Sequence, residues 1–346
     1  MSSQVGRRES MDANYFQKIT RRSHASILRQ FKKTMAIFAW FKIGFVCLFL
    51  LEALFLMWFF VFFAQSSLFA IFLGVIFLTV FTYLVLFFYF QTKKPEQLQK
   101  LKDRFMQSCR QMSNLPKEAA EHHLLLAQAA LKLVGELQNF EEKYYQAPSG
   151  LYFLSSLFSK IGIFLHQEDV FLLKEELLFG AIDEHVSQIR MTPTDLEVHA
   201  SLAHAFVLLS RLYADAHSRS HSGLSKSLEA KMEKKFEIAC LRAVEELKIL
   251  NDYAPNDPWV HAQLAQCYQT LDMPNEEAAE YEVLLKLSPN DKEVLFHLGK
   301  LYFALGQNAK GLRIYEDLKK MSYKKAEDLI ALYGTGRSLD LCEDSN

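Results

Sequence analysis

The sequence predicts an all-α protein: a two-helix transmembrane hairpin near the N-terminus, followed by an α-solenoid of antiparallel helix pairs. Three observations predict it. In a chain of 346 residues rich in charge, residues 43 to 92 contain no Lys or Arg and one acid, Glu52. Two apolar runs in that stretch are each long enough to cross about 30 Å of hydrocarbon. From residue 115 onward the pattern reads as helix throughout, punctuated by proline–aspartate corners at recurring intervals.

The hairpin occupies 43–92. Its first run is 43–64. The second, 68–90, is 23 residues without a charge, which as a helix spans roughly 34 Å. Only Gln65, Ser66 and Ser67 separate them, so the two helices must be antiparallel. A helix also satisfies its own backbone groups where no water can. Lys18, Arg21, Arg22, Arg29, Lys32, Lys33 and Lys42 precede the hairpin, and Lys93, Lys94, Lys100, Lys102 and Arg104 follow it. Positive charge on both flanks predicts an integral membrane protein with two spans and both termini cytoplasmic. The bacterial inner membrane is the expected location. A cleaved signal peptide does not fit, because the charged leader exceeds 30 residues and a second span follows at once.

Glu52 lies near mid-depth of the first span. A charged carboxylate there costs about 2.5–3.5 kcal/mol, so the neutral acid is expected, facing Thr79 or Thr82 on the second helix. Such a contact is interhelical glue, within the hairpin or between protomers of a homo-oligomer. One acid on two helices cannot line an ion pathway alone.

Residues 1–42 form a basic leader, with nine Lys or Arg against two acids. Residues 1 to 14 read as disordered. Residues 15 to 34 read either as an amphipathic helix on anionic lipid, through Phe16, Ile19, Ile27, Leu28 and Phe31, or as a solvated leader that only sets topology. In 93–114, beyond Pro95, a juxtamembrane helix carries Leu98, Leu101, Phe105, Met106, Cys109 and Met112 at helical spacing. Residues 93 to 346 hold 30 bases against 37 acids. With no basic stripe, that balance argues against nucleic acid as a partner. Cys47, Cys109, Cys240, Cys267 and Cys342 form no CxxC pair and read as small buried hydrophobes in a reducing compartment.

Three corners organise the rest: Pro193-Thr194-Asp195, Pro255-Asn256-Asp257 and Pro289-Asn290-Asp291, the last two 34 residues apart. Nine residues after each proline stands Leu202, Leu264 or Leu298. Each is followed by a small residue, Ala203, Ala265 or Gly299. Four residues after each leucine is an aromatic: Phe206, Tyr268 or Tyr302. The small residue admits a close helix approach, the leucine and aromatic fill the seam, and proline with a capping Asp starts the next pair. Gly306, Gly311, Tyr315 and Leu318 complete the last unit.

This pattern resembles the tetratricopeptide repeat, and the resemblance covers 193–322. There are departures. Asp272 stands where a turn glycine is usual, and Glu277 where a small residue is usual, with Ala278 beside it suggesting a one-residue slip. The unit opening at Leu196 carries 28 extra residues before its closing proline, read as an inserted loop or helix extension near 207–234. Residues 115–192 are expected to hold a degenerate repeat ending at Pro193. Residues 323–346 are expected to be a capping helix, near 324 to 334, and a tail.

No phosphate loop, nucleophile elbow or HExxH is present, so no enzyme, cofactor or metal is expected. His217 and His221 have metal-ligand spacing, but their Ser-rich surroundings suggest a loop. The resemblance implies a concave groove lined by the first helix of each pair. Its residues would be Glu197, Ala200 and His204, then Trp259, Ala262, Gln266 and Gln269, then Glu293, Phe296, Lys300 and Phe303. Trp259, Phe296 and Phe303 would anchor a protein or peptide partner, unless the insertion or a terminal helix covers them. A grip on a C-terminal carboxylate is disfavoured, because Ala200, Ala262, Gln266 and Phe296 stand where its Lys, Arg and Asn would be. The expected function is a membrane-anchored scaffold in contact with the lipid bilayer and a protein partner. The alternative is a secreted bacterial effector in a host vacuole membrane, since a bilobed hairpin also resembles chlamydial inclusion membrane proteins.

Overall fold

In the computed structural model the backbone is described over residues 2–63, 68–112, 116, 119–144, 155–220 and 226–333. Among them there are eleven helices and no strand. These are α1 (Ser2–Phe63), α2 (Leu68–Met112), α3 (Ala120–Tyr144), α4 (Ser155–Met191), α5 (Leu196–Ser220), α6 (Lys226–Tyr253), α7 (Pro258–Thr270), α8 (Pro274–Leu287), α9 (Lys292–Ala304), α10 (Asn308–Lys320) and α11 (Ala326–Ile330). The chain divides into two compact units, Met1–Gln188 and Ile189–Asn346.

In the first unit, α1 and α2 are long, apolar enough to cross a membrane, and almost unburied along their apolar windows. They pair through aromatic rings. Tyr83 stacks on Phe41 at 5.9 Å, Phe90 meets Phe41 edge-on at 4.6 Å, and Phe55 meets Phe72 at 5.2 Å. No side chain lies within 4 Å of the space above Gly44 or Gly74, so large rings, not small residues, set this contact. Thr79 Oγ1 donates to Glu52 Oε1 at 2.8 Å. Thr82 is exposed and takes no part. The turn at Gln65 to Ser67 lies outside the described residues.

Both helices run far beyond the apolar hairpin. No proline occurs before Pro95, so nothing interrupts α1 between the leader expected to be disordered and the first apolar run. α2 carries Pro95 inside it. A proline removes one helical hydrogen bond, but the helix is held on both sides of it. The part of the leader's apolar face from Ile27 onward packs against protein, while the side chains of Phe16 and Ile19 lie outside the described residues. Ile27, Phe31, Met35 and Phe38 are buried with Leu98, Leu101, Phe105, Met106 and Cys109 of α2, and with α3 and α4. The stretch expected to hold a degenerate repeat, α3 and α4, thus shares a core with α1 and α2. A charged frame surrounds it. Lys94 is ion-paired with Asp169, which is 1 % exposed, and with Glu168 at 3.2 Å. Glu184 takes Arg110 at 2.5 Å and His123 Nδ1 at 2.6 Å.

The second unit is a solenoid of three antiparallel pairs, α5/α6, α7/α8 and α9/α10, closed by α11 on α9 and α10. Leu202, Leu264 and Leu298 are buried at equivalent seams, as are Ala203, Ala265 and Gly299. A Cβ on Gly299 would stand 2.7 Å from Leu329 of α11, so the cap closes against a position that needs glycine. The extra residues of the first pair lengthen both helices. α5 and α6 have 25 and 28 residues against 13 and 14 in α7 and α8, about 38 and 42 Å against 20 and 21 Å. α5 continues as helix to Ser220, through the stretch expected to be a loop; the side chains of His217 and His221 lie outside the described residues, as does the tail beyond Tyr333.

Candidate partner-binding groove

The corners start the groove helices. Asp195, Asp257 and Asp291 each accept from the backbone N–H two residues on, at 3.1, 2.9 and 3.0 Å. Pro258 supplies the first residue of α7. A fixed φ and a satisfied donor make these starts unambiguous. The turns end the helices equally sharply. Asp272 and Gly306 occupy equivalent places with φ of 54° and 71°. The N–H one residue further on bonds back across each turn, Met273 to Tyr268 O and Gln307 to Tyr302 O, at 3.0 and 2.8 Å. Aspartate tolerates the left-handed region, so the missing glycine does not deform the second repeat.

The corners also carry a duplicated polar clamp. His199 Nδ1 lies 2.7 Å from Glu246 and its Nε2 3.0 Å from Pro193 O. His261 repeats this with Glu280 at 2.6 Å and Pro255 O at 2.9 Å. Both partners of each ring only accept, so both bonds together require the imidazolium. Burial opposes that charge, but the glutamate hydrogen bond, the proline carbonyl, and the charges of the glutamate and of Asp195 or Asp257 raise both pKa values above the usual 6.5. The third repeat replaces the pair by Leu295 and Ile314, both buried. A raised folded-state pKa adds stability below the unfolded value, and that stability is lost as pH rises through the folded one. Thermal unfolding of the chain in detergent should therefore show a fall in stability as pH rises past about 6.5. H199L/E246I combined with H261L/E280I, the third repeat's pairing, should flatten it.

The groove residues fall into two groups. Glu197, His204, Ala262, Gln266, Gln269, Glu293 and Lys300 are exposed, and Trp259 is 42 % exposed. Arg211 on α5 donates to Gln266 Oε1 at 2.8 Å, tying the first two pairs together across this face. Burial and Arg211 lower the pKa of His204. The anchors near the cap are partly claimed from within. Phe296 meets Tyr323 edge-on at 5.9 Å, with the ammonium groups of Lys300 and Lys325 each 5.9 Å from its ring centre. Tyr323 donates to Glu293 at 2.8 Å and holds its carboxyl below the usual carboxylate range. Phe303, expected as an exposed anchor, is fully buried. Its ring fills the space over Gly311 and meets Tyr333 edge-on at 5.9 Å. That face is closed by the terminal helix and its flanks.

The second repeat differs at this point. Ala243, Glu277 and Gly311 are equivalent by the 34-residue spacing, and so are Leu250, Leu284 and Leu318, all three leucines being buried. The register is kept, so no slip occurs at Ala278. Glu277 is 4 % exposed. Opposite it stands Gln269, where the third repeat has Phe303. A pocket of about 280 Å³ opens there, lined by Gln269, Glu277, His297, Lys300, Leu301, Ala304 and Leu332. Sequence reasoning missed Glu277, His297, Arg211, Tyr323 and Lys325. The departure at Glu277 was the available signal.

Cys109, Cys240 and Cys267 are buried thiols. Burial pushes the Cys109 and Cys267 pKa values up to about 12, where a thiolate nucleophile is not available. Among the described residues no group of His, Cys, Asp or Glu is arranged to hold a metal.

No protein-family model matches the sequence, and no curated protein matches it. A search of solved structures finds the crystal structure of a thermophilic TPR protein from Thermus thermophilus, 17 % identical, covering 61 % of this chain and 98 % of that one, with a TM-score of 0.27.

Proposed function

We propose that the protein is a membrane-anchored scaffold, with the α1–α2 hairpin as the anchor and the second unit's groove as the seat for a protein segment. One observation carries the anchor. Trp40, Leu51, Met57, Trp58, Phe77 and Phe88 are each at least 63 % exposed on the hairpin. A continuous apolar surface of that kind is stable against hydrocarbon and not against water. The Thr79–Glu52 bond satisfies one polar oxygen within that apolar stretch. Basic flanks on both sides of the hairpin support an orientation with both termini on the cytoplasmic side. The groove reading rests on the exposed row from Trp259 to Gln269, which packing within the unit leaves open.

Two measurements test it together. The full chain should stay in the membrane pellet after alkaline carbonate washing. A photo-crosslinking residue at position 266, in the groove, should give partner adducts that the same residue at exposed position 248 on α6 does not. Release by carbonate would remove the anchor. Equal labelling at 266 and 248 would remove the groove.

A further inference from the structure

The pocket at the second repeat is lined by Glu277, an acidic residue only 4 % exposed. Glu277 sits at the closest approach of its helix pair, where the other two repeats have Ala243 and Gly311. No hydrogen bond or ion pair within the described residues engages it. Lys300 reaches over the Phe296 ring instead, 5.9 Å from its centre. Burial raises the Glu277 pKa against the pull of Lys300. Withdrawing a carboxylate from most of its water without pairing it is costly, and two sister repeats avoid that cost with a small residue and an apolar side chain, Val207 or Phe303, opposite. The second repeat has Glu277 and Gln269 instead, and no described residue fills the space.

Apart from Lys300, whose ammonium lies over the Phe296 ring, the polar walls favour a hydrogen-bond donor. The His297 ring stacks on Tyr281 at 5.8 Å. Burial and Lys300 lower its pKa, so the ring is neutral and keeps one acceptor nitrogen. The Gln269 amide offers a carbonyl oxygen. Leu301, Ala304 and Leu332 form apolar walls that suit a methylene stem. A volume of about 280 Å³ admits one long side chain and not a larger cofactor.

We infer that this pocket, bounded by Glu277, Gln269 and His297, seats a single arginine or lysine side chain of the protein segment bound in the groove. The inference rests on the groove reading and adds the chemistry of one anchor. The incoming cation pairs the buried carboxylate, and its stem lies along the leucines. A guanidinium with five donors suits the acceptors best.

The test is an array of random twelve-residue peptides probed with the full chain in detergent micelles, as wild type, as E277Q, and as Q269F/E277G. The double variant installs the third repeat's own pairing and fills the pocket, so it serves if E277Q fails to fold. Peptides bound by the wild type should share a basic residue at one fixed position. Replacing that residue by methionine should weaken binding about tenfold or more, and both variants should lose the preference while still binding through the rest of the groove. Bound peptides with no fixed basic residue, or an undiminished preference in E277Q, would overturn the anchor and leave the groove standing. A fixed acidic residue would overturn it too, assigning the pocket to Lys300. An array bound by nothing would overturn the groove reading and the anchor with it.

Discussion

Phe303→Ala should destabilise the second unit by about 3–5 kcal/mol, the cost of emptying a fully buried aromatic site. Phe303 is 0 % exposed and fills the space over Gly311, under Tyr333. Gly311→Ala should cost about 1–3 kcal/mol for the opposite reason. A Cβ at Gly311 would stand 2.5, 2.7 and 2.8 Å from three atoms of that ring. Both carbons cannot occupy that space. The two losses should not add: in the Phe303→Ala background the new methyl enters the vacated volume, and Gly311→Ala should become nearly neutral or stabilising. Chemical denaturation of the four proteins in detergent reads this as a coupling energy. Additive losses would show that the glycine is not there to admit the ring.

Asp169→Ala should cost the first unit about 3–5 kcal/mol, because it leaves the buried Lys94 ammonium with only the exposed Glu168 as a partner. Asp169 is 1 % exposed and Lys94 8 % exposed, and Glu168, the remaining partner at 3.2 Å, has a side chain 62 % exposed. Burial works against the Lys94 charge, yet the carboxylates hold its pKa above the usual lysine value. Removing Asp169 takes away the larger share of that support. The double change Lys94→Met and Asp169→Leu should recover most of the loss, since an apolar pair of similar volume replaces two desolvated charges. Thermal unfolding of the wild type and the two variants separates the cases. Equal stability for Asp169→Ala and the wild type would mean that Lys94 finds water.

The repeat was legible because its signals are local. A proline, a capping aspartate two residues on and a leucine nine residues on define one helix start, and the start recurs. The apolar hairpin was legible for a similar reason: two long apolar runs with basic flanks need no partner to be recognised. Asp272 in the left-handed region follows from the same local reading, since the turn's place in the period is known.

Other features depended on what lies opposite. Phe303 and Trp259 both stand on the groove face by spacing. Gly311, Tyr333 and the cap bury the first, whereas Trp259 stays 42 % exposed. Glu277 next to Ala278 reads as a slip in one dimension, but the buried leucines at 250, 284 and 318 keep the register and leave the carboxylate in the pocket. Ile27 and Phe31 have the spacing of a lipid-facing stripe, and they lie instead in a core with α2, α3 and α4.

The sequence by itself determined where the first helix of each repeat begins, the period of the last two repeats, and which stretch is the most apolar. Each of these is a property of neighbours along the chain. Tertiary structure alone decided which apolar face meets protein, which aromatic is covered, and which carboxylate stays unpaired. Burial is a contact between residues far apart in sequence, and periodicity names a face without naming what will cover it.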